Sequence, residues 1–107
     1  MKRRSTPDGE AAEALTLLRA VGATLATAES LTGGRLAAAV TSVPGASSSY
    51  VGGFVTYATE LKQSLLGVPH EIVEQYGVVS GECARAMACG CTCTRWTSRA
   101  RPMAAGG

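Results

Sequence analysis

With 107 residues, a net charge of +2 and aromatic residues making up only 5% of the chain, there is room for one domain at most, built mainly on aliphatic and alanine side chains. No run of eighteen apolar residues exists, so no membrane span is expected. The opening MKRRSTPDGE has charge but no apolar region behind it, which argues against a secretory signal and predicts a cytoplasmic protein. Residues 5–84 hold Arg19, Arg35 and Lys62 against every acid in the chain, while the remaining basic residues sit at the two ends. Basic ends of that kind are usually solvated tails, so nucleic acid is not the expected partner.

Thr6-Pro7-Asp8 predicts a helix start, with Thr6 as N-cap and Pro7 in the first turn; Ala11, Ala14, Leu15, Leu18 and Val21 then follow helical spacing until Gly22. Residues 24–28 predict a strand that meets a polar corner, Glu29-Ser30-Leu31-Thr32, and the pair Gly33-Gly34. An alanine-rich helix follows over 33–42, stopped by Val43-Pro44-Gly45. At such a junction the first helical N–H groups lack intrahelical partners and the positive end of the dipole faces outward, so the corner offers a seat for an anion or a developing negative charge. Gly33 and Gly34 would let a ligand approach the backbone closely. Read alone, the same residues are also what an ordinary helix start prefers.

Ala46-Ser47-Ser48-Ser49 reads as a loop leading into a second strand over 50–57, where Gly52 and Gly53 predict either a bulge or a backbone that is closely approached. Residues 60–66 predict a short helix closed by Gly67, and residues 70–76 another ended by a glycine. Ser80 caps a helix running through Glu82, Cys83, Ala84, Ala86 and Met87. From Cys89 onward CGCTCTRWTSRARPMAAGG shows no period and is expected to be disordered. Cys83, Cys89, Cys91 and Cys93 lack the paired C-x-x-C knuckles of zinc sites, so they read as free thiols and no metal is expected. The order of strands and helices predicts a layered α/β fold, although two strands make a poor sheet by themselves.

The stretches ATAESLTGGRLAAAVTSVPGAS, GGFVTYATELKQSLLGV and YGVVSGECARAMA, in this order and spacing, closely resemble the carboxyl-terminal domain of the CinA family. Stand-alone members of that family are nicotinamide-nucleotide amidohydrolases, which convert nicotinamide mononucleotide to nicotinic acid mononucleotide and ammonia. The resemblance implies an α/β, three-layer α/β/α domain, often oligomeric, and a serine/lysine hydrolysis that uses no metal or other cofactor. It covers residues 10–88, dividing the chain into a tail over 1–9, a partial domain over 10–88 and an unstructured tail over 89–107. Leu31 stands where the family usually has Cys. The family's domain also runs on for another half of its length, with a T-G-x-A-G-P-type loop, a K-P-x-G-T strand and phosphate-holding basic residues that are not found here. The fold expected is therefore an incomplete domain of this type.

Hydrolysing a carboxamide requires a nucleophile, a base to activate it, donors for the oxyanion and an acid for the departing ammonia. Ser30 and Ser47 are the candidate nucleophiles. The only histidine, His70, lies in a Val-Pro-His-Glu turn outside the motifs, which leaves Lys62 as the base, and Tyr57 is spaced to relay a proton or orient it. By motif position Ser30, Ser47, Tyr57 and Lys62 match the family's active-site set, with Ser30 and Lys62 as the dyad. Glu29, Thr32, Gly33 and Gly34 are the expected substrate contacts. Without the resemblance, Lys62 reads as a solvated helix lysine beside Glu60, Tyr57 as a strand-end aromatic, Ser47 as loop and Glu29 as a helix-start carboxylate. The expected partner is a small nucleotide, with turnover not expected from this chain alone. Two other readings compete: a non-catalytic fragment that binds nucleotide weakly or joins a full-length homologue, and a binding module with a basic tail.

Overall fold

A computed structural model describes residues 7–93; the tail readings at residues 1–6, including the Thr6 cap, and at 94–107 fall outside them. Helix α1 spans Pro7–Val21, strand β1 Leu25–Glu29, helix α2 Arg35–Thr41 and strand β2 Tyr50–Val55, entered by a short 3-10 turn over Ala46–Ser48. Helices α3 (Thr59–Leu66), α4 (His70–Tyr76) and α5 (Gly81–Cys93) follow. The glycine stops predicted after α1 and α3 are where the chain turns left-handed, with φ of 70° at Gly22 and 65° at Gly67. The cap predicted for α5 is in place, Cys83 N–H donating to Ser80 Oγ at 3.0 Å.

β1 and β2 pair in parallel from Leu25 opposite Tyr50 to Glu29 opposite Val55, with a bulge between Leu25 and Ala26 that leaves Val51 as the extra residue. Both readings of the Gly52-Gly53 pair hold at once. Gly52 adopts φ 147° beside the bulge. A Cβ at Gly53 would collide with Thr27 Oγ1 and Tyr50 OH, which hydrogen-bond to each other at 2.7 Å.

Alternation along β1 sends its side chains into two cores. On one face Leu25 and Tyr50 join Leu15 of α1, Val40 of α2, Val43 and Ala46. On the other, Ala26, Ala28 and Phe54 meet Leu66, Val68, Cys83, Met87 and Cys91, on or beside α3 and α5. Helices therefore cover both faces of the two-stranded sheet, the α/β/α layering expected, and the sheet stops at two strands among the described residues. Val21, expected on the apolar stripe of α1, is 76% exposed, because only the side of α1 that carries Ala11 and Leu15 meets the neighbouring layer.

The reading that periodicity ends at Cys89 is corrected by α5, which continues through Cys93. Cys83, Met87 and Cys91 recur every four residues and form its buried stripe, so cysteine here acts as a small apolar residue. Cys91 Sγ also donates to the Thr27 carbonyl at 3.3 Å, and burial pushes its thiol pKa up. Cys89 and Cys93 are exposed, so the four thiols do not converge. Gly90 lets α5 cross the end of α3 at backbone contact, since a Cβ there would overlap the Leu66 carbonyl.

Candidate active site

The two strands end side by side, and the residues that follow them make the site. Ser30 leaves the end of β1, while Thr56 and Tyr57 leave β2 after a last ladder bond from Thr56 N–H to Glu29 O of 2.9 Å. Lys62, within the first half of α3, reaches back into this gap. Its Nζ is 2.9 Å from Ser30 Oγ, 2.6 Å from the Thr56 carbonyl and 3.2 Å from the Tyr57 carbonyl. The residue is 1% exposed, which overturns the reading of a solvated helix lysine. None of the three groups around Nζ is a carboxylate.

Ser30 is half-buried and opens on a cavity of about 470 Å³. Leu31, Val78 and Val79 form its apolar walls, and Ser80 and Gly81, at the start of α5, stand at its polar side.

Glu29 takes the helix-start role that its residue type suggested, in place of the substrate contact that the resemblance implied. Its side chain is 3% exposed and its carboxylate accepts from Leu36 N–H at 2.8 Å, Ala37 N–H at 3.0 Å and Thr32 Oγ1 at 2.8 Å. Burial alone would raise its pKa, but the N–H groups of Ala37 and Leu36, the Thr32 hydroxyl and the Gly34 N–H outweigh it and hold the carboxyl below its ordinary value. The start of α2 is thus already occupied by an anion from the chain itself, which corrects the reading of that corner as a seat for a bound anion. Thr32 is tied to the same carboxylate. Gly33 and Gly34 take φ of 61° and 102°, forming the left-handed turn that separates Ser30 from α2, and this backbone demand accounts for both.

The remaining expected residues are spread apart. Tyr57 is 76% exposed and meets Lys62 through its carbonyl. Ser47 lies in the 3-10 turn that enters β2, at the opposite end of the sheet from Ser30, beside a separate cavity of about 460 Å³. His70, with Nε2 3.3 Å from Glu74, belongs to an exposed pair on α4. Thr56 was missed by sequence reasoning because its contribution is a carbonyl, which residue type does not announce. Its place immediately after the strand was the available signal.

The family described as CinA C-terminal domain matches residues 8–100. A protein of Limosilactobacillus reuteri named as competence-damage inducible is 55% identical over 74 residues, covering 69% of this chain and 18% of that protein. A CinA-like protein of Parasynechococcus marenigrum is 48% identical over 84 residues, covering 78% of this chain and 20% of its own length. The crystal structure of a competence-damaged protein superfamily member from Escherichia coli superposes with a TM-score of 0.78 at 32% identity, over 85% of this chain and 54% of that one. A competence/damage inducible protein from Agrobacterium tumefaciens gives 0.73 at 37% identity, over 85% and 56%. The chain thus spans about half the length of these crystallised relatives and about a fifth of the curated ones.

Proposed function

The chain belongs to the CinA C-terminal domain family, and from that premise we propose that Ser30 and Lys62 are the working pair of a carboxamide hydrolase acting on nicotinamide mononucleotide. The observation that carries the reading is the pair of backbone carbonyls at Lys62 Nζ, with Ser30 Oγ 2.9 Å away on the remaining side. Backbone carbonyls only accept. A neutral lysine amine has two N–H groups and one lone pair, so the Thr56 and Tyr57 carbonyls consume both N–H groups and turn the lone pair toward Ser30 Oγ. That is the arrangement a general base needs against a serine nucleophile.

In the proposed reaction Lys62 Nζ takes the Ser30 proton as Oγ attacks the carboxamide carbon. The tetrahedral adduct collapses when Lys62 returns the proton to the leaving nitrogen, releasing ammonia and leaving an ester on Ser30. Water, deprotonated by Lys62, then attacks the ester, Lys62 returns that proton to Ser30 Oγ as the acyl–oxygen bond breaks, and the carboxylic acid leaves and gives its remaining proton to the solvent. Every step uses one proton site, which suits a single buried amine. In the first turn of α5 the Cys83 N–H is taken by the Ser80 cap, and the N–H of Gly81, at the cavity wall, would serve the oxyanion. Ser47 and the Tyr57 hydroxyl have no part in these steps. No helix among the described residues is long and apolar enough to cross a membrane.

Ammonia release from nicotinamide mononucleotide tests the reading, measured for the 107-residue chain and for the chain extended with the remainder of the Escherichia coli relative. The extended protein should turn over and lose activity with Ser30→Ala. The short chain should give none, because a misplacement of about 1 Å can lower a rate roughly a hundredfold and the groups that hold the substrate phosphate are not in these residues. Saturable release by the short chain would overturn the second claim, and an active Ser30→Ala variant the first.

A further inference from the structure

The buried stripe of α5 uses only two of its four cysteines. Cys83, Met87 and Cys91 pack into the core, while Ala86, Cys89, Gly90 and Cys93 recur at i, i+3, i+4 and i+7 and make a second face of the same helix. That face borders a cavity of about 470 Å³, whose other walls include Leu66 at the end of α3 and Pro69 and Ile72 around the start of α4. Gly90, in backbone contact with the Leu66 carbonyl, fixes this turn of α5 against α3. Cys89 and Cys93 are exposed free thiols. Four residues apart on a helix, they have Cβ atoms about 5–6 Å from each other on one side. Among the described residues that line the cavity, these two thiols are the only side chains with a donor atom.

We propose that Cys89 and Cys93 form a two-coordinate site for a soft monovalent cation, copper(I). Thiolates are soft donors, and among biological metals they select copper(I), zinc and iron–sulfur clusters. Zinc takes three or four protein ligands. No group of three or more His, Cys, Asp or Glu side chains gathers at one point among the described residues, and Cys91, between the pair in sequence, points into the core with its Sγ on the Thr27 carbonyl. Calcium and magnesium need oxygen ligands, which the side chains at this cavity do not carry. Copper(I), with its filled d shell, is satisfied by two thiolates in line. With bonds the length of zinc–thiolate bonds, about 2.3 Å, the two sulfurs stand about 4.6 Å apart, a span that rotation about the two Cα–Cβ bonds can reach from this spacing. On binding, two S–H bonds break, two S–Cu bonds form and both protons pass to the solvent; no electron is transferred, and the site is left with one negative charge. Leu66, Pro69 and Ile72 keep water from the cavity side of the ion. Roughly 12 Å of helix separates Cys89 from Gly81 at the Ser30 cavity, and the inference is independent of the hydrolase reading.

Anaerobic titration of the reduced 107-residue chain with copper(I), in competition with a chromophoric copper(I) chelator, tests it. One copper(I) should be held per chain. Cys89→Ser and Cys93→Ser should each weaken binding by roughly a hundredfold or more, because in the natural chain the second thiolate acts as an intramolecular ligand. Thr92→Cys combined with Cys93→Ser keeps the number of thiols but turns one of them by about 100° off the face. That variant should bind as weakly as Cys93→Ser alone. Positions 89, 92 and 93 are exposed, so the variants should keep the helical circular dichroism of the natural chain. Failure of the natural chain to retain copper(I) would overturn the proposal. An affinity that follows the number of thiols and not their positions would equally overturn it, as would displacement of the copper(I) by an equal concentration of zinc.

Discussion

Ser30 and Lys62 lie 32 positions apart in the chain and meet with 2.9 Å between Oγ and Nζ, at the point where both strands stop pairing. The contact needs three elements at once: β1 to deliver the serine, the residues after β2 to deliver two carbonyls, and α3 to deliver the amine. Neither side chain could hold this geometry from its own element alone.

In the extended protein, Ser30→Ala and Lys62→Ala should each lower kcat by about a thousandfold or more, and the double variant should be hardly worse than either single one, because members of one catalytic unit are strongly non-additive. Steady-state ammonia release measures this. Additive losses would separate the two residues.

Tyr57→Phe should leave kcat within about twofold, since the Lys62 contact is the residue's carbonyl and the substitution keeps it. Ser47→Ala should be equally mild, given its place at the other end of the sheet. If Ser47→Ala proved the more damaging serine change, Ser47 would become the nucleophile and Ser30 a substrate or oxyanion contact.

Glu29→Gln should destabilise the fold by about 1–3 kcal/mol, because a carboxamide offers one acceptor oxygen where the carboxylate offers two to the start of α2. The carboxyl pKa is held below its ordinary value of 4.5 in the folded protein. Its contribution is therefore complete above that value and is lost as the pH falls through the lowered one. Denaturant titrations across the acid range should show the natural chain losing stability there and the variant doing so less steeply.

Gly90→Ala should lower stability by about 1–3 kcal/mol, although alanine is the better helix former, because the new Cβ would overlap the Leu66 carbonyl and force α5 away from α3. Thermal unfolding checks the sign: a more stable Gly90→Ala protein would mean that the two helices are not in backbone contact.

Much of the fold was legible because its punctuation is chemical. Gly22 and Gly67 stop helices for want of a Cβ, and Ser80 caps α5 with a hydroxyl. The end of α5 was not legible, because Cys91 was weighed as a thiol when its burial makes it a core side chain. Ser30 and Lys62, singled out through motif position, meet in the structure, and the buried amine could not have been told from a surface lysine by helical spacing. Glu29 was read both as a substrate contact and as a helix-start carboxylate, and residue type could not choose between them because its partners, Leu36 and Ala37, act through backbone N–H groups. Ser47 shares its motif neighbourhood with the others, yet parallel pairing sends the start of β2 to the far end of the sheet from Ser30.

The carbonyl nearest Lys62 belongs to the same residue whose N–H closes the ladder onto Glu29. Fraying of that single rung frees Thr56 to rotate and removes one of the two acceptors that aim the amine. Under the proposed hydrolase reading, readiness for chemistry is thus a matter of occupancy in time: a molecule is armed only while the Thr56 amide is closed. The protection factor of that one amide would then report the armed fraction of the population, with no substrate present.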